Sequence, residues 1–188
     1  VRKGVIGFCF LLLALIFCSC APIPIVPVEW GYEKSAIRLN VTADPMLNLY
    51  KGRAHALHVC VYQLKDLSSF NQLAETPEGI SSLLQCRLFN SGAVDVMVLS
   101  RSGIQPGDFR TFTLDRTEGA KYFGIVAGYQ TLEKERAVWL FHIPVADEIV
   151  ITGLRKIEKI QKPGILSIDL YLGAQQIQRA VVREWQKE

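Results

Sequence analysis

Hydrophobic positions recur along this chain in two rhythms. Over 36–41 they alternate. Ile37, Leu39 and Val41 share one side, with Arg38 and Asn40 on the other, which is the period of a half-buried strand. Over 56–64 the alternation continues, but both sides carry apolar members. Leu57, Val59 and Val61 oppose His58, Cys60, Tyr62 and Leu64, which predicts a central strand covered on both faces. Over 66–88 the period lengthens. Leu67, Phe70 and Leu73 suit a short helix. Thr76-Pro77-Glu78 reads as a cap with proline at the first helical position, opening a second helix with Ile80, Leu83 and Leu84 on one face. Strand-like stretches resume over 94–99, 110–114, 121–129, 137–143, 148–151 and 165–172. Gln105-Pro106-Gly107-Asp108 sits between two of them as a type II turn signal. Gly124 and Gly128 mark close approaches within a buried strand. About eight strands separated by turn signals predict a mostly-β sandwich with a short helical insertion. The sandwich is expected over 36–174 with its insertion at 66–88. Residues 175–188, where Ile177, Val181, Val182 and Trp185 are the large apolar members, read as a polar strand or tail.

The connection between the first two strands breaks the pattern. Asp44-Pro45, Asn48 and Lys51-Gly52 are loop signals, yet the same stretch holds Met46, Leu47, Leu49 and Tyr50 and closes on Arg53. A greasy loop beside a core strand asks for a partner. Two readings stay open. The apolar side chains form an anchor with Lys51 and Arg53 as a charged rim, or they fold back and cap the sandwich.

Ahead of the sandwich the character changes. Arg2 and Lys3 precede an apolar run over 5–17, the length of a signal-peptide core and too short for an ordinary membrane-spanning helix. Phe17-Cys18-Ser19-Cys20-Ala21 follows and resembles a bacterial lipobox, with Cys20 as lipid acceptor and small Ser19 before the cut. Phe17 departs from the leucine that the pattern prefers. An ordinary secretory signal cleaved nearby is the alternative. In the lipoprotein reading 1–19 is removed and acyl chains on Cys20 make a lasting tether. Ala21, where bacterial sorting uses Asp for inner-membrane retention, implies the outer membrane. Over 20–35, Pro22, Pro24 and Pro27 make an extended spacer that faces the periplasm.

Composition adds mainly exclusions. The chain has 188 residues and a net charge of +3. With Arg2 and Lys3 set aside, 19 basic residues face 18 acidic ones, which gives no reason to invoke nucleic acid. The histidines are His55, His58 and His142. The first two, three apart on a strand, would point to opposite faces and could not share a metal, so no metal or cofactor is expected. No nucleophile elbow, phosphate-binding loop or paired-acid signature is present, and the chain reads as a non-enzyme. Cys60 and Cys86 remain after processing. An oxidising compartment permits a disulfide between them, and two buried free thiols are equally compatible. The charges at Arg155, Lys156, Glu158 and Lys159 read as a solvated loop within 147–162.

Several of these features coincide in one family. A lipoprotein signal leads into a strand and a D-P-x-L-N-L-Y-x-G-R-A loop over 44–54, then V-Y-Q-L over 61–64. A short helix with Phe70, a Pro106-Gly107 turn and Y-F-G-I-V-A-G-Y over 122–129 follow. This resembles the TssJ family, the outer-membrane lipoprotein of the type VI secretion system. The resemblance implies a transthyretin-like β-sandwich and a structural role. The lipoprotein would join a trans-envelope complex by binding the periplasmic C-terminal region of the inner-membrane component TssM. The contact would run through the first loop: Asp44, Pro45, Met46, Leu47, Asn48, Leu49, Tyr50, Lys51, Gly52 and Arg53. A periplasmic ligand-binding or chaperone module on the same sandwich is the alternative.

Overall fold

A computed structural model of the chain describes residues 27–89, 92–152 and 156–183. Cys20, the lipobox around it, Arg155 and Trp185 lie outside the described residues.

The elements run β1 (Glu33–Ala43), β2 (Val59–Leu64), α1 (Ser68–Ala74), α2 (Pro77–Leu83), β3 (Ala93–Val98), β4 (Phe109–Arg116) and β5 (Tyr122–Ala127). Then come the single turn α3 (Lys134–Ala137), β6 (Val138–His142), β7 (Val145–Thr152), β8 (Lys156–Pro163), β9 (Leu166–Leu172) and β10 (Ile177–Arg183). One sheet has the order β10-β9-β1-β4 and the other β3-β2-β5-β6. β1 pairs parallel with β9 and antiparallel with β4. The pairings within the second sheet are antiparallel. β7 and β8 form a separate two-stranded sheet with a Lys159–Asp147 ion pair at 2.8 Å.

The alternation in β1 and β2 sets the layers. Ile37, Leu39, Val41 and Ala43 of β1 meet Val59 and Val61 of β2 in a core between the sheets. Cys60, Tyr62 and Leu64, on the other face of β2, meet Phe70, Ala74, Ile80 and Leu83 of the helices in a second core. β2 is central and buried at every position. Its two-sided apolar pattern exists because a sheet covers one face and helices cover the other.

The helical insertion closes by local means. Thr76 caps α2, its side chain accepting from the Gly79 amide at 3.1 Å, and Pro77 opens the helix. The ring of Phe70 lies against Gly124 of β5, where a Cβ would sit 2.9 Å from Cζ, so only glycine lets the helix seat fully. Tyr62 reaches out of the sheet and donates its hydroxyl to the Leu83 carbonyl; burial raises its pKa to about 12. A disulfide joins Cys60 to Cys86, just past α2.

Three expectations need correction. The strand expected over 148–151 lies within β7, but the charged stretch beyond it is not a loop over 156–162, where β8 runs. The lysines and glutamate of 156–163 hid a strand because its few apolar residues do not alternate. The sandwich begins before 36 and continues past 174. Glu33 to Ser35 extend β1, with an irregular register where Ser35 takes φ 55°. After 174, β10 is an edge strand on β9 whose first residue, Ile177, is its only buried one. An edge strand with one solvated face carries little apolar signal. Lastly, β2 starts at Val59, so His58 precedes the strand. Leu57 still pairs across to Ile104.

Arg116 ties the end of the sandwich together. Although almost fully buried, its guanidinium donates to the carbonyls of Gly31, Pro163 and Gly164. These bonds fasten the segment ahead of β1 and the turn into β9 to one side chain.

Candidate functional site

The loop between β1 and β2 is built on backbone hydrogen bonds. Asp44 donates its amide to the Leu172 carbonyl at 2.8 Å and accepts the Met46 amide on its carboxylate at 2.7 Å, an Asx turn. Leu47 N–H returns to the Asp44 carbonyl at 2.9 Å. Asn48 adopts φ 49°, a left-handed conformation that asparagine tolerates better than most residues. Its side-chain amide donates to the Ala56 carbonyl at 3.2 Å. Leu49 N–H is held by the Ala174 carbonyl at 2.7 Å, and His55 N–H by the Leu47 carbonyl at 2.9 Å.

The tip is a tight turn. Tyr50 and Arg53 exchange both backbone bonds, at 2.9 and 3.0 Å, around Lys51 at φ 48° and Gly52 at φ 73°. Positive φ at both central positions is the type I′ geometry. Glycine adopts it freely and lysine does so at a cost that the surrounding bonds offset.

This backbone divides the apolar side chains. Leu47 is 0% exposed and belongs to the core between the sheets. Met46 is 45% exposed and Tyr50 44% exposed, while Leu49 is half-buried. Lys51 Nζ lies 5.2 Å from the centre of the Tyr50 ring, and the His55 ring meets Tyr50 edge-on at 6.3 Å. Lys51, Gly52 and Arg53 are exposed. The anchor cluster expected from sequence therefore needs correction. Leu47 and Asn48 point inward and cannot meet a partner, leaving Met46 and Tyr50 as the presented apolar groups. The loop backbone sends neighbouring side chains in opposite directions, Leu47 into the core and Met46 and Tyr50 into solvent.

Beside the loop is a cavity of about 340 Å³ lined by Asn48, Leu49, Tyr50, Tyr129, Gln130, Thr131, Ala174 and Gln175. Tyr129 is buried in it without a well-formed hydrogen bond on its hydroxyl. Burial pushes that hydroxyl's pKa up, with the Gly173 amide acting against the shift. Sequence reading missed this residue, whose only signal was its place at the end of a buried strand.

The histidines are dispersed. His142 packs edge-on against Tyr122 and Trp30. His58 stands beside the disulfide, within hydrogen-bond range of the Leu84 carbonyl. Among the described residues, the one group of three or more metal-ligating side chains gathered together is His58, Cys60 and Cys86, and there the sulfurs are bonded to each other. Among the same residues no helix is long and apolar enough to cross a membrane.

A two-sheet sandwich with one face under helices, carrying a hydrogen-bonded loop with exposed Met and Tyr, defines a transthyretin-like β-sandwich. The match to known proteins is more specific. A family model described as type VI secretion lipoprotein (VasD, EvfM, TssJ) covers residues 35–161, and the chain belongs to that family. It is thus a lipoprotein of the type VI secretion membrane complex. Among solved structures it is similar to the type VI lipoprotein TssJ1 from Pseudomonas aeruginosa. Identity is 24% over 83% of this chain and 98% of that one, with a TM-score of 0.51. It also matches the membrane-bound type VI component Lip from Serratia marcescens, with 16% identity over 79% of this chain and 96% of that one and a TM-score of 0.49. The C-terminal domain of the type VI protein TssM from EAEC matches with 16% identity over 79% of this chain and 98% of that one, at a TM-score of 0.49. No curated protein matches the chain significantly.

Proposed function

We propose that this lipoprotein is a structural, non-catalytic anchor of the type VI membrane complex. Acyl chains on Cys20 hold it in the outer membrane, and the loop over 44–53 binds the periplasmic C-terminal region of the inner-membrane component TssM. Family membership supports the setting. The observation that carries the loop assignment is that its backbone is held by hydrogen bonds to Leu172 and Ala174 of the sandwich while Met46 and Tyr50 stay exposed. A surface whose backbone is already held in place loses less entropy on association. An aromatic anchor beside a basic rim is the composition that dominates interface energies.

Ala21 after the acceptor cysteine supports the outer-membrane assignment.

The test is co-purification of the lipoprotein with the periplasmic region of TssM. Replacing only the exposed side chains, Met46→Ser together with Tyr50→Asp, should abolish recovery of the complex while circular dichroism stays that of a sandwich. Recovery at the unaltered level would remove the loop from the contact. Separately, Cys20→Ser should release the protein from outer-membrane fractions into the soluble periplasm without weakening the complex in solution.

A further inference from the structure

His58 and the two disulfide cysteines already describe most of a second kind of site. His58 Nε2 is 3.5 Å from Cys60 Sγ and 3.4 Å from Cys86 Sγ. A tetrahedral zinc ion with Zn–S near 2.3 Å and Zn–N near 2.0–2.1 Å requires N···S edges of about 3.5 Å and an S···S edge of about 3.8 Å. Two of the three edges of the ligand triangle are therefore present while the sulfurs are still joined. Only the S···S edge has to open.

We propose that the dithiol form of this chain binds one zinc-like divalent cation through His58 Nε2, Cys60 Sγ and Cys86 Sγ, so that disulfide and metal are alternative states of one site. The scaffold holds two ligands independently of the disulfide. Cys60 sits in mid-sheet, paired with Val98 on one side and Val126 on the other. The His58 carbonyl accepts the Gly128 amide at 2.8 Å, which fixes the backbone from which the ring projects. Cys86 is the adjustable member. It follows α2 at φ 48° and is only partly buried, so rotation about its Cα–Cβ bond can carry the sulfur outward.

Burial and charge fit the same chemistry. Cys60 is fully buried and His58 exposed, so a cation would enter from solvent onto the imidazole and close against a dry wall. Two thiolates neutralise a divalent ion, which leaves no net charge in a half-buried place. Three protein ligands leave the fourth position for water.

The electron and proton balance is simple. A phosphine reductant gives two electrons to the S–S bond and is oxidised to phosphine oxide with oxygen from water, leaving two thiols. The cation displaces both thiol protons to solvent and takes the Nε2 lone pair. The ring proton that faces the Leu84 carbonyl at 3.1 Å in the disulfide state then resides on Nδ1.

The probe is cobalt(II), added to the phosphine-reduced full chain without oxygen. The background is the Cys60→Ser/Cys86→Ser variant, which keeps Cys9, Cys18 and Cys20. The reduced protein should show thiolate-to-cobalt charge-transfer and tetrahedral d–d bands at one equivalent above that background, displaced by zinc. The oxidised protein should show none. His58→Ala should weaken binding at least about 100-fold, since losing even an outer-shell partner costs about 10–100-fold, while His55→Ala should change nothing. A reduced chain that needs cobalt to fold also supports the site. No bands above background, equal affinity of the urea-unfolded reduced chain, or unchanged binding by His58→Ala would overturn it.

Discussion

The loop over 44–53 and the helical insertion over 66–88 are both interruptions of a sandwich, and both are rich in apolar residues. They meet opposite ends. In the insertion Phe70, Ala74, Ile80 and Leu83 are all buried against the outer face of β2 and β5. In the loop only Leu47 among the apolar residues is fully buried, Leu49 is half-buried, and Met46 and Tyr50 remain in solvent. The difference lies in what holds each backbone. The insertion is held by side-chain packing, a cap and a disulfide, so the apolar residues of its two helices are consumed by the fold, and of its large apolar residues only Leu88, at its end, is exposed. The loop is held by main-chain hydrogen bonds to its neighbours, which leaves two large side chains free for something else.

The comparison can be broken at the packing end first. Phe70→Ala should cost about 3–5 kcal/mol in denaturant unfolding, as loss of a fully buried phenylalanine does. Reduction of the Cys60–Cys86 bond, which spans 26 positions, should cost about 3–4 kcal/mol by the chain-entropy relation, read as a lower melting midpoint of the metal-free protein. Thr76→Ala should cost about 1 kcal/mol through the lost cap on α2. Tyr50→Asp, at the presenting end, should stay within about 0.5 kcal/mol of the parent, as exposed substitutions do. A loss from Tyr50→Asp as large as that from Phe70→Ala would erase the distinction between the two regions.

The smallest effect concerns pH. Asp115 accepts hydrogen bonds from the Tyr32 hydroxyl and the Ser35 amide, and these hold its carboxyl below its ordinary range. A carboxylate stabilised in the folded state contributes above its unfolded pKa, and the contribution fades as pH falls through the lowered folded value. Both groups are solvent-exposed, so the slope is shallow. Tyr32→Phe should flatten the acid limb of the stability profile below about pH 4, near the unfolded carboxylate value, and a steeper limb would contradict the assignment.

Much of this was legible in the residues themselves. Period-2 alternation located β1 and β2 and the faces of each, and the Thr76-Pro77 signature located α2, because those patterns are imposed by local backbone geometry. Strand β8 was obscured because its lysines and glutamate leave no alternation to read, and β10 could be read only as a polar strand or tail because it buries just its first residue. In the loop, composition announced apolar groups without their direction, since Leu47 and Tyr50 look alike in a sequence. Their opposite directions follow from the left-handed backbone at Asn48 and the type I′ turn at Lys51-Gly52, which only three dimensions resolve. His58 was assigned to a strand face, and its place beside the two sulfurs depends on where Cys86 returns after α2.

The most direct test of the loop's role sets two exposed aromatics against each other. Phe109, on the first sheet, is 74% exposed, more than Tyr50, so exposure alone would favour it as an anchor. Titration calorimetry of the folded domain with the periplasmic region of TssM should show Tyr50→Asp weakening binding by at least about 30-fold, the 2 kcal/mol of an interface hot spot, with Phe109→Asp leaving it unchanged. Binding that survives Tyr50→Asp and is lost with Phe109→Asp would contradict the account.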